Sequence, residues 1–473
     1  LEKTVIKEKR QRTKDKGQMN TTEISPLVSL QAPKDVSIDE IEAELREIWK
    51  LYSGNEEGVA ATRAATFSLL VYEPTPTQQM LASLGYYTGP IDGIAGPRTT
   101  AAIKSAQKAY GLTATGKSDE AFLKKLQEEY QQAKAEGKLN DVAQRMEKQY
   151  SPDLEGAGIA DAIAASNPCR IITLCPTTQE DKGVTAQVSA YCPIQKQTRS
   201  SLICCEYIML RGTADALERI GGIVSELTIN GLPKFVWWKA SPEPEYGLFK
   251  RLSSLCDTII IDSSTFKEPE ADLLRIGELL AKGTPMADLN WGRLAAWQEL
   301  TAEAFDPPER REALSEVDRI TIDYEKGNPS QALMYLGWIA SRLKWRPVSY
   351  RQEDGDYDIR RVSFTTEDRR TIEAELAGVP LADAGDVLGD LISLRLSSTN
   401  LEADCCTVLC SETTGCMRME AGGGAQACRI QQVTPLSDQK TETLLSRQFQ
   451  RWGRDMLYEE SMSVTVQIIK LAD

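Results

Sequence analysis

From Cys169 onward the sequence alternates short apolar runs with amphipathic stretches of helical period, a pattern that few folds accommodate. The runs are Arg170 to Cys175, Val184 to Cys192, Leu202 to Leu210, Phe235 to Trp238 and Thr258 to Ile261. Helical patterns separate the later ones, at Ala214 to Leu227 and Glu270 to Leu280. Strands that alternate with helices pair into a substantially parallel sheet covered by those helices. The expected class is α/β (α+β overall), with a Rossmann-like mixed sheet core over residues 169–350.

The flanks add distinct parts. Residues 1–36 are polar, contain Pro26 and Pro33, and read as a disordered lead. Ser37 then caps a helix with Ile38, Ile41, Leu45, Ile48 and Trp49 on one side and Glu40 as the capping-box carboxylate. The run Phe67 to Tyr72 reads as a strand ending before Pro74, so residues 37–74 give the core one helix and one strand. A small module follows at 75–132, and the Ala-, Glu- and Lys-rich stretch 133–168 reads as a helical linker. Residues 351–473 read as β-rich, with alternating runs at Tyr357 to Phe364, Thr371 to Leu376 and Leu391 to Leu396. A helix from Ser437 to about Trp452 and a final strand near Val464 to Leu471 close the chain.

None of the 473 residues is histidine, which removes the commonest general acid/base and the commonest zinc ligand. A net charge of −14 repels a nucleic-acid backbone and an anionic membrane alike. The first residues form a mixed-charge run without the apolar core of a secretory signal, and no stretch has the length of a membrane span. The expected location is cytoplasmic, with no catalytic residue, cofactor or metal.

In the small module, Gly111 to Ser118 matches the phosphate-loop string GxxxxGK[ST]. That loop requires a buried strand running into it, whereas Thr99 to Tyr110 has the amphipathic pattern of a helix. Ser118 is better read as the N-cap of a helix from Asp119 to Leu126. The stretch from Gln78 through Gly85-Tyr86-Tyr87, Gly89 to Gly96, Ile103, Ala106-Gln107 and Gly111-Leu112 to Thr115-Gly116 resembles the peptidoglycan-binding-like module. The resemblance implies a small three-helix domain with glycine-marked turns. Ala106 departs from the phenylalanine usual there, and a protein-docking or vestigial role is expected in place of glycan binding.

Trp237 and Trp238 are adjacent on a strand and so face opposite sides, where each is either covered by a helix or available as an interface anchor. Trp291 and Trp297 follow in Asp288 to Trp297. Ser201 to Glu206, Phe235 to Trp238, Asp257 to Ser263, Asp288 to Trp291 and Ala304 to Pro308, in that order, resemble the OpcA family of glucose-6-phosphate dehydrogenase assembly proteins, cyanobacterial type. The resemblance runs from about Ile38 to the C-terminus. It implies a non-enzymatic partner that binds glucose-6-phosphate dehydrogenase, promotes its active oligomer and raises its activity in the oxidative pentose phosphate pathway. Trp237, Trp238, Trp291 and Trp297 are then the candidate interface residues. The alternative from another class is an α/β enzyme acting on a sugar phosphate or carbohydrate through Asp257, Asp262 and Asp288, which read more simply as strand-end and cap residues.

Of the 11 cysteines, Cys169, Cys175, Cys192, Cys204, Cys205 and Cys256 lie in or beside strand-like runs and read as buried, inert thiols. Cys405, Cys406, Cys410, Cys416 and Cys428 crowd a Gly- and Thr-rich stretch without paired CxxC knuckles, which argues against zinc. Cys410 and Cys416 are the first choice for a reversible disulfide, because Gly415 can turn the chain between them; Cys405, Cys406 and Cys428 are the second. In a photosynthetic cell, reduction of that bond by thioredoxin would be an off-switch for the activator.

Overall fold

The strand Phe67–Tyr72 (β3) is buried at all six positions, and its residues point alternately into two separate cores. Leu70 joins Ile172, Ile208 and Val236 on one face, while Leu69 joins Ile171, Tyr207 and Phe235 on the other. Such continuous apolar strands belong to a parallel sheet covered on both sides. The computed structural model that shows this describes residues 27–52, 61–63, 65–74, 77–87, 97–136, 168–177, 181–193, 202–306, 308–353, 355, 357–380, 387–400, 404–411, 416–423, 430–435, 441–451 and 453–472.

Six parallel strands form the first sheet's centre: β3, Cys169–Pro176 (β4), Leu202–Gly212 (β6), Lys234–Trp238 (β7), Thr258–Ile261 (β8) and Met286–Asp288 (β9). They lie in the order β6-β4-β3-β7-β8-β9, so the third, second and first strands in the chain are followed by the fourth, fifth and sixth. That is the strand order of doubly wound dinucleotide-binding sheets. Leu27–Val36 (β1) and Thr185–Pro193 (β5) extend the β6 edge antiparallel, and Ala61–Arg63 (β2) pairs with β6 in parallel.

Helix Ile41–Tyr52 (α1) begins where expected: the Glu40 carboxylate accepts from the Ser37 hydroxyl at 2.7 Å, and Ile41, Leu45 and Ile48 are buried. Its other anchor is polar. The buried Arg170 guanidinium donates to Glu206 Oε2 at 2.7 Å and to the Leu227 carbonyl at 2.6 Å and pairs with Glu42, while Trp49 Nε1 donates to Glu206 Oε1 at 2.6 Å. Every charge in this buried group has a partner, the condition under which burying it is tolerable.

Helices Thr77–Ser83 (α2), Pro97–Ala109 (α3) and Glu120–Ala135 (α4) form the small module between β3 and β4. Asp119, not Ser118, caps α4, its side chain accepting from Phe122 N at 2.8 Å. Helices Ala214–Arg219 (α5), Gly221–Leu227 (α6), Gly247–Leu255 (α7), Pro269–Ala281 (α8), Leu289–Arg293 (α9) and Ala295–Phe305 (α10) connect and follow the later strands.

The second sheet has eight strands: Arg319–Glu325 (β10), Arg346–Glu353 (β11), Asp358–Thr365 (β12), Thr371–Val379 (β13), Leu391–Ser397 (β14), Asp404–Ser411 (β15), Cys416–Gly423 (β16) and Ile430–Pro435 (β17). Only β10 and β13 pair in parallel, with Ser330–Arg342 (α11) leading out of β10. Thr441–Gln448 (α12) returns to the first sheet, where Phe449 just beyond it stacks on Phe67 at 4.5 Å. Met456–Ile469 (α13) packs along α11.

Three expectations change. Residues 27–36 are an edge strand and not part of a disordered lead; Pro33 falls in the bulge between Gln31 and Lys34, where a missing N–H breaks no ladder bond, and residues 1–26 lie outside the described residues. The second sheet begins at Arg319 instead of beyond Tyr350, because β10 is its central parallel strand. The β-branched run near Val464 to Leu471 is the end of α13, where Tyr458, Ser461, Met462, Thr465, Ile468 and Ile469 repeat at helical spacing and are buried. Packing overrides the strand preference of Val and Ile there.

The α11–α13 contact depends on Gly337. A Cβ at that position would lie 2.3 Å from Thr465 Oγ1 and 2.7 Å from the Ser461 carbonyl, too close for either helix to stay in place. Gly337→Ala is expected to destabilise the chain by about 1–3 kcal/mol through overpacking, read as a lower Tm at unchanged helical content.

Candidate functional site

In a sheet of this order, ligands bind beyond the carboxyl ends of the strands, at the point where successive connections diverge to opposite sides. That point lies between β3 and β7. Here it is filled by the chain's own side chains. The last residues of the two strands, Tyr72 and Trp238, stack face to face with ring centroids 3.8 Å apart and planes 6° apart. Tyr246 and Phe249 pack against Trp238 at 5.9 and 4.9 Å, and Trp238 Nε1 donates to the Ser241 carbonyl at 3.2 Å. Immediately beyond the stack, Glu73 and Lys239 form an ion pair.

A dinucleotide site also needs a glycine-rich turn after the first strand, leading into a helix whose N-terminus receives the pyrophosphate. β3 is followed instead by Glu73 and Pro74, and then by the small module. The carboxylate repels phosphate, and the proline withholds an N–H. The module is seated on the same edge: its core of Met80, Leu81, Ile103, Phe122 and Leu126 is continuous with Cys175 of β4 and Met209 of β6.

Within the module, the phosphate-loop string follows a helix and not a strand. Gln107 clasps its turn, accepting from Gly116 N at 2.8 Å and donating to Thr115 Oγ1 at 2.9 Å and to the Lys117 carbonyl at 3.1 Å. The Gly116 amide that a phosphate would need is already bound. Gly111 and Gly116 both have positive φ, as turns of this kind require.

A second polar group joins the two sheets at the ends of β8 and β9. Arg293 donates from Nη1 and Nη2 to the two oxygens of Asp262, at 2.8 and 2.9 Å. Asp288 Oδ1 accepts from Ser263 N at 3.0 Å and Asn290 N at 2.9 Å. From α11 and the turn before it, Gln331 Nε2 reaches Asn290 Oδ1 at 2.7 Å and Asp390 Oδ1 at 2.6 Å, and Asn328 Nδ2 reaches the Ser263 and Ser264 carbonyls at 2.9 and 3.0 Å. Asp288 Oδ2 and the Tyr458 hydroxyl are buried without a hydrogen-bond partner.

Burial raises the Asp288 carboxyl to about 6, with the Asp262 charge adding to the effect. For Asp262, burial pulls upward too, but the Arg293 guanidinium and its hydrogen bonds outweigh it and hold the group below the ordinary range. Asp257 lies at the opposite end of β8, accepting from Lys234 N at 2.8 Å. Asp262 and Asp288 are therefore brought together in one buried group and Asp257 is not; each of the three has a cap, strand-end or ion-pair role.

Trp237, Trp238, Trp291 and Trp297 are all core residues, none more than 8% exposed. Trp237 and Trp238 face opposite sides of β7 as adjacent strand residues must, and both sides are covered. Trp291 Nε1 donates to Asp455 at 3.1 Å, and Trp297 lies against Tyr335. As candidate interface anchors they are corrected: the helices and the second sheet that cover them are out of view in the sequence. What the sequence reading missed is the Tyr72–Trp238 stack, whose only signal is an aromatic at the end of two successive apolar runs.

Cys169, Cys175, Cys205 and Cys256 are buried and in no disulfide, and burial raises the Cys175 and Cys256 thiols to about 12, consistent with inert packing. Cys204 differs from the expectation of a thiol: it is disulfide-bonded. Cys405, Cys406 and Cys410 lie on β15, and Cys416 begins β16. Register sets Ser411 opposite Cys416 and Cys410 opposite Met417, so Cys410 and Cys416 occupy adjacent rungs of one hairpin. Cys428 lies outside the described residues. Among the described residues, no helix is long and apolar enough to cross a membrane.

Residues 160–278 match the family of glucose-6-phosphate dehydrogenase subunit N-terminal domains, and residues 284–462 match the corresponding C-terminal domain family. Residues 76–126 match a provisionally described peptidoglycan-binding domain. A relative from Synechocystis sp., provisionally named OxPP cycle protein OpcA, is 66% identical over 96% of this chain and 96% of its own. A relative of the same name from Nostoc punctiforme is 60% identical over 95% of this chain and 96% of its own. Among solved structures, a 3-ketoreductase from Actinomadura kijaniata is 11% identical, with a TM-score of 0.35 over 55% of this chain and 86% of that one, a likeness too weak to bear on function.

Asp288 gives the polar group between the two sheets a measurable signature. Its raised folded value, about 6 against 3.8, means that its contribution to stability is complete below 3.8 and lost as pH rises through 6, by about 3 kcal/mol. Asp262 has the opposite sign, its contribution being lost as pH falls below the ordinary carboxylate range. Asp288→Asn keeps the Oδ1 acceptor and abolishes the charge. It is expected to raise Tm above pH 6 and to leave it unchanged near pH 4, in paired thermal melts across that range.

Proposed function

The chain belongs to the OpcA family of glucose-6-phosphate dehydrogenase-associated proteins, and from that premise we propose that it is a non-enzymatic assembly factor and allosteric activator of the dehydrogenase. It binds glucose-6-phosphate dehydrogenase and promotes its active oligomer. The observation that carries the non-enzymatic part is the Tyr72–Trp238 stack, with the Glu73–Lys239 pair, filling the crevice where a sheet of this order would hold a coenzyme. Activation requires that the chain bind the active oligomer more tightly than the inactive one, since equal affinity shifts no equilibrium.

The hairpin that carries Cys410 and Cys416 is the element through which the chain transmits thiol redox state, with thioredoxin as the reductant. Adjacent rungs of a regular hairpin send their side chains to opposite faces, so a bond between Cys410 and Cys416 requires the last rung of the ladder, Ser411 with Cys416, to open. A dithiol opens the bond by attack on one sulfur and resolution of the mixed disulfide.

Co-elution with the dehydrogenase on size-exclusion chromatography, together with a rise in its turnover, is the expected result; neither co-elution nor stimulation would overturn the assignment. Titration with NADP+ is expected to leave the Tm of this chain unchanged, and a saturable rise would overturn the reading of the crevice as closed to a coenzyme. For the redox part, a Cys410→Ser, Cys416→Ser variant is expected to stimulate the dehydrogenase equally before and after thioredoxin treatment, whereas the parent chain changes. If the parent's stimulation is insensitive to thioredoxin, the hairpin transmits nothing.

A further inference from the structure

Cys204 is fully buried on β6 and is disulfide-bonded, while Cys169, Cys175, Cys205 and Cys256 are in no disulfide. The strand register points to its partner. β5 and β6 run antiparallel, with Val188 opposite Ile208, Ser189 opposite Tyr207, Ala190 opposite Glu206 and Tyr191 opposite Cys205. Continued one rung past its last pair, Tyr191 with Cys205, that ladder brings Cys192 opposite Cys204. Directly opposed residues of an antiparallel pair have Cα atoms about 4.5–5.5 Å apart, inside the range that a disulfide spans. The other candidates, Cys405 to Cys428, belong to the second sheet or its connections.

We propose that Cys192 and Cys204 form a dithiol/disulfide site in the α/β half of the chain, separate from the Cys410–Cys416 hairpin. The bond ties β5 to β6, and β5 in turn carries the edge strand β1, with Val28 paired to Cys192. On the other side of the same rung, Cys204 is paired with Arg63 of β2. Two residues further along β6, Glu206 receives Arg170 and Trp49 and so holds α1. The pair therefore sits where all the N-terminal additions to the sheet converge. Reduction by a dithiol breaks the one Sγ–Sγ bond and leaves two cysteine thiols, while the reductant takes the disulfide; two electrons and two protons pass to the chain. The edge then keeps its ladder hydrogen bonds and loses its covalent tie.

The test uses the full chain, alkylated in denaturant before and after dithiothreitol and then cut with trypsin. Cys192 falls in peptide 183–196, and Cys204 in peptide 200–211 with Cys205. Without reductant the two peptides are expected to be linked, to stay linked in Cys205→Ser and to separate in Cys204→Ser. With Cys410→Ser and Cys416→Ser as background, dithiothreitol is expected to lower Tm by several degrees, a shift that adding Cys192→Ser abolishes. Full alkylation of both peptides without reductant, or linkage of peptide 200–211 to another cysteine, would overturn the proposal. Because the background lacks the hairpin cysteines, failure here is distinct from failure of the hairpin reading.

Discussion

A parallel sheet has no face that tolerates water, and the six parallel strands of this protein's first sheet draw in covering groups from the whole length of the chain. One face takes Ile41, Leu45 and Ile48 from the N-terminal helix and Leu217, Val224 and Leu252 from the crossovers. The other takes Leu289, Leu444, Leu445 and Phe449, the last three from the far end of the sequence. That requirement makes the C-terminal part inseparable from the first sheet. At about 25 cal/mol per Å² of apolar surface, such burial dominates any single polar contact described above.

The same pressure accounts for the filled switch point. An empty crevice beyond β3 and β7 would leave Tyr72 and Trp238 wet, whereas stacking them excludes water from both. The small module completes the seal by packing Met80 and its neighbours toward Cys175 and Met209. Polar groups at the carboxyl ends of the strands are here turned on one another: Asp262 on Arg293 and Glu73 on Lys239. The buried Arg293 guanidinium is committed through both Nη nitrogens to Asp262, in a bidentate pair.

Much of this was legible in the residues. The strand runs at Phe67, Arg170, Leu202, Phe235 and Thr258 and the helix at Ile41 fall where their periodicities set them. The Gly111 to Ser118 string was correctly read as a turn, because a loop's function depends on what precedes it. Less legible were features that depend on a distant partner. Pro33 looked like a breaker until a bulge accommodated it, and Val464 to Leu471 looked like a strand until α11 offered a helical surface. The four tryptophans looked like anchors because neither covering layer is adjacent to them in the chain.

By itself the sequence determined the class of the fold, the position of the small module, the family and the absence of any imidazole, since each of these is local or compositional. Only the tertiary structure decided the strand order, the closure of the switch point by Tyr72 and Trp238, and the bonded state of Cys204. Each of those joins residues far apart in the chain or on different strands. Periodicity reports which face of an element is apolar; it carries no information about which other element will cover that face.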